Sequence, residues 1–218
     1  LLVEPQGGMD LLTALHHGAA SVVAVTGNPL VFEAVADRFS LQAGDIFRDP
    51  RVETVVGGAR SYLRGEPGAF DVVQVSLLDS FRPVLAGAYS ISESYLYTVE
   101  AFQEYYRHLR PDGFLSVTRW IQVPPSEELR MAATAIEALE ESGVAAPGEG
   151  IAAIRTLQTL TLLVKKEPFT SAQLEAVKGA ARSLQMDISY LPGLVCHDPK
   201  EGFCAFECFV HQMVNHRD

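Results

Sequence analysis

No apolar run in this chain of 218 residues reaches the roughly 18 that a membrane-spanning helix needs. No insertion into a bilayer by this segment is therefore expected. The N-terminus carries no basic start, apolar stretch and small-residue cleavage site, so no secretory signal is read there. Cysteine is scarce: there are 3, and all lie near the C-terminus (Cys196, Cys204, Cys208). That does not suggest a disulfide framework, and a reducing, cytoplasmic compartment is the default expectation. Basic residues are outnumbered, 17 Lys and Arg against 27 Asp and Glu, and they are scattered. With a net charge of −10 the surface repels a phosphate backbone, so nucleic acid is not an expected partner. The same charge suits cationic small molecules, polyamines among them. No internal repeat or low-complexity tract is present.

What remains is an ordinary globular composition, 48% hydrophobic and 20% charged, long enough for one domain to bury a core without staples. Leu1 opens in the middle of an apolar run, so a longer parent chain is expected, in which this would be the soluble part of a membrane-attached protein. Leu1–Pro5 reads as a buried strand closed by Pro5, Gly7 and Gly8. A helix follows, with Leu11, Leu12 and Leu15 on one face and Gly18 as its stop. Ser21–Pro29 is a second strand, rich in β-branched residues, and Pro29 then opens a helix carrying Val31, Ala34, Val35 and Phe39 on one face. Val52–Gly57 is a third strand with a short helix from Ala59. Phe70–Asp79 is a fourth, nearly continuous in apolar residues, as strands buried on both faces are.

A long helix ends at the turn signal Arg110, Pro111, Asp112 and Gly113. Phe114–Trp120 is the fifth strand, and a helix with Glu127 and Glu128 in its first turn comes next. Residues 151–156 and 159–166 predict a closing antiparallel hairpin. Thr170 then caps a helix before a short strand at residues 187–192. Strands alternating with helices define an α/β fold of the Rossmann type: a mostly parallel, seven-stranded sheet with helices on both faces. Residues 1–166 are expected to form this domain. Residues 167–218 are expected to be a helix–strand extension packed on it.

In such a sheet the ligand sits beyond the carboxyl ends of the strands, where chain order reverses. The ends that matter are Glu4–Asp10, Thr26–Pro29, Gly57–Arg60, Ser76–Phe81 and Thr118–Trp120. Gly7 and Gly8 stand between strand and helix, where glycine lets backbone approach a ligand and a helix N-terminus offers free N–H groups.

The succession VEPQGGMD, AVTGNP, VVGGAR, FDVVQVSLLDSF and LYTVEAFQEYYRHLRPDGFLSVTRW resembles the S-adenosylmethionine-dependent transferase superfamily. Within it the chain is most similar to the spermidine synthase (polyamine aminopropyltransferase) family and its membrane-fused bacterial relatives, from about Leu1 to Lys166. The resemblance implies the class I methyltransferase fold, and S-adenosylmethionine or its decarboxylated form as cofactor. The first loop would wrap the methionine part with Glu4, Gly7, Gly8 and Asp10, with Gln6 where a glycine is usual. Thr26 stands where an acidic residue normally holds the ribose hydroxyls, next to Asn28. Gly58, beside Ala59, stands where an acidic residue normally receives the adenine amino group.

Just past the fourth strand the family carries two aspartates, one for the attacking amine and one for holding substrate. The matching positions are Ser76 and Asp79. Serine is not a general base near neutral pH without an activating neighbour, so Asp79 is the expected amine-binding carboxylate. Tyr89, Glu93 and Tyr95, with Tyr97, lie in the segment that closes over substrate in the family. They would hold an amine by ring faces and a carboxylate, with plain aromatic packing as the competing account. The resemblance also implies a homodimer, and a small N-terminal β domain that this sequence does not show.

Three readings stay open. One is aminopropyl transfer to an amine, another is methyl transfer by S-adenosylmethionine, and the third is a catalytically silent domain that binds a partner. Thr26, Gly58 and Ser76 favour the last. No metal site is expected. Cys204, Cys208 and His211 share a helical face, but the C-x2-C spacing of zinc sites is absent, and packing accounts for buried cysteine equally well.

Overall fold

The computed structural model describes residues 1–65, 68–78, 95–122 and 126–193. The strands are β1 (Leu2–Val3), β2 (Val22–Thr26), β3 (Val52–Val56), β4 (Phe70–Val75), β5 (Leu109–Trp120), β6 (Ile151–Arg155), β7 (Thr159–Lys165) and β8 (Asp187–Tyr190). The helices are α1 (Met9–His16), α2 (Pro29–Glu33), α3 (Ala59–Gly65), α4 (Val99–Arg107), α5 (Glu127–Glu141) and α6 (Ser171–Ser183). The sheet order is β3-β2-β1-β4-β5-β7-β6-β8. Strands β1 to β5 pair in parallel, whereas β7, β6 and β8 run antiparallel to their neighbours. The chain is thus an α/β protein with a Rossmann-like, methyltransferase-type sheet.

The sequence pattern predicts a seven-stranded sheet, with the strand at residues 187–192 in a separate extension, and the sheet has eight. The addition is β8, which pairs Ala153 with Tyr190 and Ile154 with Ile188. It covers the edge that β6 would otherwise expose, and in the last pair the Arg155 guanidinium reaches the Asp187 carboxylate at 3.7 Å.

Strand alternation assigns the two faces of the sheet to two cores. Val3 faces the larger one, where Val25, Val73, Val75, Leu115 and Val117 meet α3, α4 and α5 through Leu63, Phe102, Tyr105 and Ile136. Leu2 faces the smaller one, with Leu11 of α1, Val22 and Ile46. On this second face Gln74 pairs with Ser116, and Thr118 pairs with Thr161. The stretch beside α1 is therefore polar and only half-buried. That polarity is what a ligand cavity on this face can use.

Two local predictions are modified. The second helix is not one run: α2 passes into a π-helical turn at Ala34–Arg38. The turn signal at Arg110–Gly113 lies inside β5, as an irregularity between the pairs Phe70–Leu109 and Val72–Phe114. Gly113 is needed there, because a Cβ would lie 2.7 Å from the Phe70 carbonyl oxygen. Other signals hold as predicted. Pro29 opens α2 and Thr170 caps α6, in a reciprocal box with Gln173, while Asn28, expected beside the cofactor, proves to cap α2.

Candidate functional site

The β1–α1 loop leaves the sheet through two residues in the left-handed region, Glu4 (φ 56°) and Gln6 (φ 46°). Position 6 has the backbone that glycine adopts without cost, which is why a glycine suits it. The loop closes with Gly8 (φ 88°), whose N–H donates to the Pro5 carbonyl at 2.8 Å. A side chain at Gly8 would collide with Ile46 and press on Phe47, so backbone comes as close to that cluster as sterics allow. Gly8 also starts α1, and no side chain caps it. The first-turn N–H groups thus face the open end of the sheet, as anion- and dipole-binding helix starts do.

A cavity of about 610 Å³ opens at this point. Gln6, Gly7, Gly8 and Asp10 line one side, and Gln74, Ser76 and Thr118 line the other. Gln42, Ala43 and Ile46 close it from the β2–β3 connection. Ser76 follows β4 directly and is 4% exposed. Its N–H donates to the Val3 carbonyl at 3.1 Å, while its Oγ has no hydrogen-bond partner among the described residues. A buried hydroxyl on a cavity wall without a partner is a ready group for a polar ligand. The loop glycines and Ser76, distant in sequence, are thus brought together across the β1–β4 switch point.

The residues at the end of β2 form a separate group. The Glu4 carboxylate turns away from the loop and accepts from the Gly27 N–H at 2.6 Å and from the Thr26 hydroxyl at 3.2 Å. Thr26 Oγ1 in turn accepts from the Asn28 N–H at 3.3 Å. Asn28 Oδ1 accepts from the N–H groups of Leu30 and Val31, so its side chain serves the helix.

At the end of β3, Gly58 is exposed and Ala59 is buried in the core under α3. Arg60 Nε is buried with no hydrogen-bond partner among the described residues, and the same is true of the Tyr105 hydroxyl on α4. Burial pushes the Tyr105 phenol well above its ordinary range. The neighbouring Tyr97 and Glu4 add to that, and Arg60 opposes it.

The aromatic segment before α4 is partly committed to the protein itself. The Arg119 guanidinium lies 4.2 Å from the Tyr97 ring centroid and donates to Glu127 at 2.7 Å. The ring face expected to meet an amine is thus filled by an internal cation. Tyr95 is 65% exposed. Asp79, Tyr89 and Glu93 lie outside the described residues, as do Cys196, Cys204, Cys208 and His211.

Sequence reasoning missed Gln74, Arg60, Tyr105 and the destination of the Glu4 side chain. Gln74 did leave a signal, as the polar residue inside the apolar run FDVVQV. Tyr105 left none, since a tyrosine on an amphipathic helix reads as packing.

No protein-family model matches the chain, and no curated protein matches it. Solved structures do match its fold. One is a spermidine synthase in complex with the transition-state analogue AdoDATO, with TM-score 0.56 and 18% identity over 79% of this chain. Another is the spermidine synthase of Thermotoga maritima, with TM-score 0.56 and 20% identity over 79% of this chain. A third is a probable spermidine synthase from Corynebacterium glutamicum, with TM-score 0.61 and 20% identity over 86% of this chain. The chain spans 54%, 55% and 66% of their respective lengths. The fold is therefore that of the spermidine synthases.

Proposed function

We propose that the chain is a spermidine synthase-like transferase domain that holds S-adenosylmethionine or its decarboxylated form and delivers an aminopropyl group to an amine. The observation that carries this reading is the cavity at the β1–β4 switch point, where the Gly7–Gly8 backbone faces the unpartnered Ser76 hydroxyl. The residues present fit the methionine-derived arm of such a cofactor. A glycine cradle admits it, uncapped N–H groups and Gln6, Gln74, Ser76 and Thr118 offer hydrogen bonds, and Met9 and Leu12 give apolar contact.

When bound, the sulfonium cofactor supplies a carbon already open to nucleophilic attack. The chain then has to supply position and exclude water. Gln74 and Ser76 would orient the arm from the sheet, and Gly8 would fix its depth against Ile46. Asp79 is proposed to orient the acceptor amine through a charge-assisted hydrogen bond. The attacking nitrogen is neutral, the C–N bond forms as the C–S bond breaks to release the thioether, and the surplus proton leaves the nitrogen to solvent.

Methyl transfer uses the same cavity with S-adenosylmethionine itself. A catalytically silent, partner-binding role is favoured by one feature, the exposed Gly58 with no group for an adenine amine.

Calorimetric titration with S-adenosylmethionine, its decarboxylated form and methylthioadenosine separates the three. Micromolar binding that favours the decarboxylated form supports the proposal, and preference for S-adenosylmethionine supports methyl transfer. Heat equal to dilution for all three overturns both enzyme readings.

A further inference from the structure

We propose that Glu4 supplies the carboxylate that holds the ribose diol of the nucleoside cofactor, reaching it from β1 instead of from β2. The inference rests on the transferase reading above. Three observations carry it.

The first is position. The Glu4 carboxylate sits over the end of β2, 2.6 Å from the Gly27 nitrogen and 3.2 Å from Thr26 Oγ1. A Cβ at Gly27 would lie 3.0 Å from Glu4 Oε1, so the carboxylate occupies the space that a side chain from this strand end would take. The negative charge missing at Thr26 is restored by a neighbouring strand.

The second is capacity. Thr26 Oγ1 donates to Glu4 and accepts from the Asn28 N–H, which leaves it little for a ligand. Each oxygen of a carboxylate accepts two hydrogen bonds. Glu4 uses one on each oxygen here, with Gly27 and Thr26. Two acceptor positions, side by side on one planar group, match the two adjacent hydroxyls of a ribose. The existing bonds hold the carboxylate in place before any ligand arrives, so little side-chain freedom remains to be lost on binding.

The third is strain. Glu4 is a non-glycine residue with φ 56°, in the left-handed region that L-residues with a Cβ disfavour. A residue with a strand conformation at this point would continue along β1 and not turn toward β2. Persistent strain of this kind is a mark of functional positions.

The test pairs a protein change with a ligand change. Wild type and Glu4→Gln are titrated with methylthioadenosine and with its 2′,3′-dideoxy counterpart. Glutamine keeps the side-chain length and one oxygen for the Gly27 N–H, and a melting curve checks that the fold survives. The expected result is that Glu4→Gln weakens methylthioadenosine binding by about tenfold or more, as loss of a charged acceptor does. Dideoxy binding by wild type should be weak to a similar degree and unchanged by the substitution.

Wild type that binds both ligands equally overturns the inference, whether or not the variant folds. An unchanged affinity of Glu4→Gln for methylthioadenosine overturns it too. Both results leave the transferase reading standing. Wild type that binds no nucleoside cofactor at all overturns that reading, and the role of Glu4 with it.

Discussion

The guanidinium of Arg119, at the end of β5, stacks 4.2 Å from the ring centroid of Tyr97, which precedes α4. It does so while paired to Glu127 at the start of α5. The contact ties three elements together at the rim of the strand ends. A double-mutant cycle with Arg119→Met and Tyr97→Leu is expected to give a coupling of about 0.5–2 kcal/mol in urea unfolding, because the arginine is largely desolvated. Coupling near zero would mean that the Tyr97 ring does not help to hold Arg119.

Gly8 combines a left-handed backbone with a steric stop. Gly8→Ala is expected to lower stability by about 2–4 kcal/mol, adding the left-handed penalty to overpacking against Ile46. Gly7→Ala meets nothing within 4 Å, so it should cost far less. Equal losses in thermal melts would show that the loop does not depend on close packing at Gly8.

Tyr105 buries a hydroxyl that has no partner among the described residues. Replacing it with phenylalanine should raise the unfolding free energy by about 1 kcal/mol, since an orphaned polar group is removed and the ring is kept. A fall in stability would reveal a hydrogen bond at that hydroxyl.

The same tyrosine sets a pH dependence. Its folded-state pKa lies above the unfolded value of about 10. The unfolded chain therefore loses the proton first. The contribution to stability is complete below about pH 10 and is lost as pH rises beyond it. Spectrophotometric titration should show one phenol that ionises only as the protein unfolds, and Tyr105→Phe should remove it.

Ser76→Ala is expected to leave stability within about 0.5 kcal/mol of wild type, because no protein partner is lost. It should weaken binding of S-adenosylmethionine-type ligands by about tenfold or less, the worth of one neutral hydrogen bond. An unaltered affinity would place the ligand elsewhere than against β4.

The fold was legible because its signals are periodic and local. Apolar strands such as Val22–Thr26 and Phe70–Val75, each followed by a helix opened by glycine, proline or threonine, leave few other architectures. β8 was visible as a strand but not as a member of the sheet, because pairing with β6 is a long-range choice. The π-helical turn at Ala34–Arg38 left no mark, since its residues suit an ordinary helix equally well.

The site was half legible. Glycines 7 and 8 and Ser76 could be placed from strand ends alone, and the cavity joins them. The direction of the Glu4 side chain could not, because it depends on a left-handed φ at a residue that does not favour one. Tyr97 was readable as an aromatic near the site, but its ring face is taken by Arg119 from another strand.

β1 lies between β2 and β4, with Leu2 paired to Ala24 on one side and Gln74 on the other. Its short length makes it a keystone inserted between two neighbours that are far apart in sequence. β2 and β3 can associate early, as a local unit. The seam between β1 and β4 closes only when segments some 71 positions apart meet, and such non-local closure is slow. The cavity opens along that same seam, with Gln6 and Ser76 on its two banks. Closing that seam and shaping the cleft are therefore one event. Amide protons of Val3 and Val75 should accordingly exchange only through global unfolding, so protection at the base of the cleft reports the stability of the whole domain.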